Sequence, residues 1–130
     1  MPTPSDHLAA IQLSLIASPI LAEYTVVRSW ADTNDGYIRI RATLANGDFL
    51  EAAEYFVRHQ SGLETADYRH QWMDAAKTKL RRRWDCTPDH PKLPNFLHHV
   101  HIEREDSVQE SRLIGLLDLL RLLEELLAQR

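Results

Sequence analysis

Two runs that alternate apolar and polar residues, 37–44 and 49–58, flank Asn46-Gly47, the dipeptide that most readily accepts the positive φ values of a two-residue hairpin turn. This feature commits the middle of the chain to antiparallel pairing. If Ala45 opposes Asp48, then Leu44 meets Phe49, Ala42 meets Glu51, Ile40 meets Ala53 and Ile38 meets Tyr55 on one mainly apolar face. The other face then pairs Arg39 with Glu54 and Arg41 with Ala52. In that register Glu51 is a carboxylate on the core side, where an unpaired charge would cost several kcal/mol.

Further alternating runs at 24–30, 67–72, 78–84 and 96–103 extend the same sheet. Pairing Met73 with Thr78 across a turn at 74–77 puts Tyr68, His70, Trp72, Lys79, Arg81 and Arg83 on one basic and aromatic face. On the last run, alternation sets His99 and His101 on one side and His98, Val100 and Ile102 on the other. Three prolines, Pro88, Pro91 and Pro94, hold the segment before it as an extended loop. At the N-terminus, Ser5 as cap and Leu8, Ile11 and Leu15 at helical spacing predict a helix that Pro19 stops. Ser107 with Glu110 three residues on reads as a capping box opening a C-terminal helix. Its Leu residues form two stripes: Leu116, Leu120, Leu123 and Leu127 for packing on the sheet, and Leu119, Leu122 and Leu126 for a second partner. The expected architecture is a single α+β domain: an N-terminal helix region at 1–19, an antiparallel sheet of five or six strands at 20–104, and a helix at 107–130 packed on the sheet.

One Cys among 130 residues excludes an internal disulfide, and no run is apolar enough to span a membrane. With a start that lacks a basic, apolar leader, this predicts a cytoplasmic protein without a membrane partner. The net charge of −4 is uneven. Residues 66–101 carry seven Lys/Arg against four acids, and five of the seven His, so an anionic ligand would be drawn there.

The series Asp35-Gly36-Tyr37, Asn46-Gly47-Asp48, Glu51 or Glu54, Tyr68-x-His70-x-Trp72, Arg83-Trp84-Asp85, Pro88-x-His90 and His98-His99-Val-His101 resembles the TumE family, proposed toxin components of toxin–antitoxin pairs. Arg83-Trp84-Asp85 and the His-His-x-His run are its specific parts. The chain departs from the family's pattern at Leu97, Cys86 and His70. The resemblance carries over residue by residue to Arg83, Asp85, His98, His99 and His101, and implies a cognate antitoxin as partner.

Three uses of these residues stay open on the sequence alone. RNA cleavage without a metal cofactor needs a base, an acid and cations: His99 or His101 supply the first two, Arg83 with Arg81 and Lys79 the phosphate contacts, and Tyr68, His70 and Trp72 the surface for the nucleotide. Metal binding would draw on Cys86, His90, His99 and His101, with zinc the fitting ion. The third use is a non-catalytic interaction module, in which the His-rich strand is a polar surface and the Leu-rich helix makes a homodimer or an antitoxin contact.

Overall fold

The computed structural model describes residues 2–86 and 98–129. Helix α1 (Pro4–Ala17) leads into strands β1 (Leu21–Ala31), β2 (Asp35–Leu44), β3 (Phe49–His59), β4 (Gly62–Met73), β5 (Leu80–Cys86), β6 (His98–Ile102) and β7 (Val108–Glu110), and helix α2 (Leu116–Ala128) closes the chain. Among the described residues seven strands form one antiparallel sheet in sequence order, one or two strands more than the alternation predicts. The class is α+β, as the run of strands between terminal helices implies.

The hairpin register differs from expectation by one residue. Leu44 N–H donates to the Asp48 carbonyl at 2.8 Å and Gly47, at φ +91°, takes the left-handed position, so the loop has three residues rather than two. Ala42 therefore meets Leu50, Ile40 meets Ala52, Ile38 meets Glu54, and Arg41 meets Glu51. A slip of one residue exchanges the faces of a strand. Leu50, Ala52, Glu54 and Phe56 turn inward, whereas Glu51 faces out and binds both Arg39 and Arg41 at 2.9 Å. The buried carboxylate is Glu54, not Glu51. The β4–β5 hairpin is shifted as well: Met73 meets Leu80, Trp72 meets Arg82 and His70 meets Trp84. Tyr68, His70 and Trp72 consequently share the inner face with Trp84, and Arg83 lies on the outer one.

Both helices differ from expectation at their starts. Thr3, not Ser5, caps α1: its hydroxyl accepts from Asp6 N–H at 3.1 Å, the Asp6 carboxylate accepts from Thr3 N–H at 2.9 Å, and Pro4 fills the first turn, where its missing N–H costs nothing. Ser107 opens no helix. Residues 108–110 pair with β6 instead, with Val108 opposite His101 and Glu110 opposite His99, so ladder hydrogen bonds override a local capping signal. Helix α2 begins after Gly115, and its cap comes from elsewhere in the chain: Leu116 N–H donates to Glu54 Oε1 at 2.8 Å. A Cβ on Gly115 would lie 2.9 Å from Thr65 Oγ1 and 3.0 Å from Glu54 Oε1, so a larger residue there would push both side chains out of this contact.

The two helices bury their apolar residues in one core with the inner face of the sheet. Leu116, Leu120 and Leu123 are buried as the first stripe requires, but Leu119 is also 0% exposed, and Leu122 and Leu126 are partly buried against the same core. The second stripe is thus largely internal, and among the described residues the exposed large apolar side chains are Leu13 and Ile16 on α1 and Val26 and Val27 on β1. No described helix is long and apolar enough to cross a membrane.

Candidate active site

Cross-strand register on the outer face determines which side chains meet. One line of partners runs Arg39, Ala53, Arg69, Asp85, His99 from β2 to β6. The adjacent line runs Arg41, Glu51, Gln71, Arg83, His101. Partners in register project on the same side of a sheet, so four of the five residues expected to do chemistry converge where β5 and β6 pair.

Asp85 is the centre of this cluster. Its Oδ1 is 3.4 Å from His99 Nδ1, and its Oδ2 is 3.3 Å from Arg83 Nε and 3.6 Å from His101 Nε2. His99 is completely buried and Asp85 and His101 nearly so. His101 Nδ1–H donates to the Glu105 backbone carbonyl at 2.8 Å, which leaves the lone pair on Nε2, 3.4 Å from an Arg83 Nη2 that faces it. Arg83 also holds the Glu105 carboxylate with both terminal nitrogens. Burial opposes the Arg83 charge, yet Glu105 and Asp85 keep its pKa above the ordinary value. Glu105 in turn is held below the usual carboxylate range by the Arg83 bond, with the charge of Arg69 adding to the effect. Arg69 is exposed and makes no ion pair among the described residues.

The other expected site residues lie elsewhere. His98 points to the inner face, where its Nδ1 is 2.8 Å from the Tyr68 hydroxyl and the two rings stack at 5.9 Å. Burial and the neighbouring His99 lower its pKa. Trp72 Nε1–H donates to Asp48 at 2.9 Å and Arg81 Nε lies 3.4 Å from the same carboxylate, so both serve the β2–β3 turn. Lys79 is exposed in the turn before β5. Cys86 pairs with His98, on the side opposite His99 and His101, and burial pushes its thiol up. Among the described residues no group of three His, Cys, Asp or Glu could hold a metal ion, and His90 lies outside them.

Sequence reasoning missed Arg69 and Glu105 in the cluster, and it missed a polar network on the inner face. There Glu54, 1% exposed, accepts from Leu116 N–H and from Thr65 Oγ1 at 2.8 Å, and lies 3.2 Å from His7 Nε2. Burial alone would raise its pKa, but these donors outweigh it and the value is lowered. Nearby, His70 Nε2–H donates to the Ile114 carbonyl at 2.7 Å, tying β4 to the segment before α2.

His70 gives the fold an acid sensitivity. Burial lowers its pKa from 6.5 to about 4, so the unfolded chain takes up a proton below pH 6.5 that the folded chain refuses. Stability is complete above 6.5 and falls as the pH drops toward 4, by on the order of 3 kcal/mol in all. Urea titrations at half-unit pH steps should show this slope in the native chain. His70→Gln, which keeps a donor for Ile114, should flatten it between pH 6.5 and 4.5 whatever its absolute stability; an unchanged slope would assign the effect to other groups.

The fold and this cluster define a small α+β protein whose open sheet carries a buried Asp–His–Arg constellation. A family model described as Toxin TumE matches residues 11–130, all but the first ten positions. The chain therefore belongs to the TumE toxin family, the toxin side of a toxin–antitoxin pair, and an antitoxin is its implied partner. No curated protein and no solved structure matches it.

Proposed function

We propose that this toxin is a small metal-independent ribonuclease that acts in the cytoplasm on single-stranded RNA. The observation that supports the reading is the convergence of Arg69, Arg83 and a His101 whose ring is oriented by the bond from Nδ1 to the Glu105 carbonyl, so that Nε2 faces Arg83 and Asp85. In this reading a substrate phosphate replaces the Glu105 carboxylate on Arg83, since both anions suit the planar guanidinium fork. His101 Nε2 takes the proton of the 2′-hydroxyl, and the 2′-oxygen attacks phosphorus. The P–O5′ bond breaks, and the proton returns through water to the departing 5′-oxygen. Arg83 and Arg69 stabilise the charge that develops on the phosphorane oxygens. Asp85 and His99 do not touch substrate; they hold Arg83 and His101 in place.

The test is direct. Purified protein incubated with a mixed-sequence RNA in excess EDTA should yield fragments with 2′,3′-cyclic phosphate and 5′-hydroxyl ends, and induction without the antitoxin should arrest growth. Growth arrest with intact RNA would overturn the nuclease reading, and cleavage abolished by EDTA would overturn metal independence.

A further inference from the structure

The outer face carries a third line of partners, outside the Asp85 cluster. Trp30, Tyr37, Tyr55 and Asp67 face one another across β1 to β4, and each of the three rings is half-buried. Trp30 stacks with Tyr37 at 6.4 Å between centroids and lies 6.3 Å from Tyr55. Neither α1 nor α2 covers this side, because the core joins both of them to the opposite face. Tyr37 and Tyr55 line a cleft of about 360 Å³ whose walls carry Arg39 and Arg69 together with the acids Glu51 and Asp67.

We propose that this row is a stacking platform for the bases of single-stranded RNA, feeding the phosphate backbone to Arg83 and His101. The inference rests on the ribonuclease reading of the same face and names where that substrate lies. Aromatic rings on a sheet give every base a surface to stack on, whatever its identity. The guanidiniums lie to one side of the rings: Arg28, Arg39 and Arg69 stand in the line that continues to Asp85, and Arg41 in the line that continues to Arg83. Successive lines are roughly 7 Å apart, two residues along each strand. Arg39 and Arg41 share the single carboxylate of Glu51, which leaves positive charge along the phosphate path. The acids beyond it, Asp35 and Asp67, stand on the aromatic side, where base edges and not phosphates would meet them. A duplex hides its base faces, so the surface selects single strands.

The probe is a fluorescein-labelled 2′-O-methyl oligoribonucleotide, which lacks the attacking hydroxyl and so reports binding without cleavage. Anisotropy should show tight binding by the native chain, weakened about 5- to 150-fold by Tyr37→Ala or Trp30→Ala and retained by Tyr37→Phe. Trp72 and Trp84 are only 2% exposed, so protection of tryptophan emission from acrylamide on binding reports Trp30. Urea titration of each variant checks that it is folded. Equal binding by the native chain and both folded ring-deletion variants, absence of binding by the native chain, or equal affinity for a duplex would each overturn the platform. If RNA is still cut with cyclic-phosphate ends in those cases, the nuclease reading stands without it. Ring-dependent binding with no cleavage of unmodified RNA would instead leave the platform standing and remove the nuclease reading.

Discussion

Glu54→Ala should destabilise the fold by about 3–5 kcal/mol, measured as a lower urea midpoint with an unchanged slope. The reason is the number of donors that lose their acceptor together. Leu116 N–H, the Thr65 hydroxyl and His7 all converge on this carboxylate, and all three come from different elements. A small apolar residue would leave the buried Leu116 N–H and the part-buried Thr65 and His7 groups without this acceptor, and each buried unsatisfied donor costs about 1–3 kcal/mol. The pH dependence has a definite sign. The folded Glu54 has a pKa below the ordinary 4.5, so its contribution is complete above that value and is lost as the pH falls through the folded one. Glu54→Gln should therefore be less stable than the native chain at pH 7 and approach it under strongly acidic conditions. A Glu54→Ala chain of native stability would show that the network is incidental to the fold.

His101→Ala should lower RNA cleavage by about 10²–10⁴-fold, the usual worth of a positioned base, and abolish growth arrest on induction. Arg83→Ala should lower it by about 10²–10³-fold through loss of a fixed charge on the phosphorane. Glu105→Gln should act the other way. It removes the carboxylate that competes with phosphate for Arg83, so cleavage at low RNA concentration should rise while the fold is retained. Native cleavage by a folded His101→Ala chain would remove the imidazole from the reaction.

The legible part of the sequence was its periodicity. Alternation placed β1 to β6 but not β7, and the parity of the His-rich run correctly separated His98 from His99 and His101, because side-chain direction along a strand is set by the backbone alone. Register was harder to read. Asn46-Gly47 fits a two-residue turn and a three-residue turn alike, and on β3 both parities look apolar: Phe49, Ala53 and Tyr55 on one, Leu50, Ala52 and Phe56 on the other. That one-residue choice decided which of Glu51 and Glu54 is buried. A larger slip, of three residues along most of the β4–β5 pair, placed Tyr68, His70 and Trp72 beside Arg83 rather than behind it. The start of α2 was out of reach for another reason. Its capping carboxylate is 62 residues away in the chain, and no local pattern encodes a partner at that separation.

The strictly sequential strand order has a kinetic meaning. Each strand pairs only with the ones made just before and just after it, so loop closures are short and the sheet can zip up locally as the chain emerges from the ribosome. The Glu54 carboxylate follows a different schedule. One of its partners, Leu116, is made 62 residues later, at the start of α2. The meander can thus exist before its inner face is sealed, and consolidation of that face waits for α2.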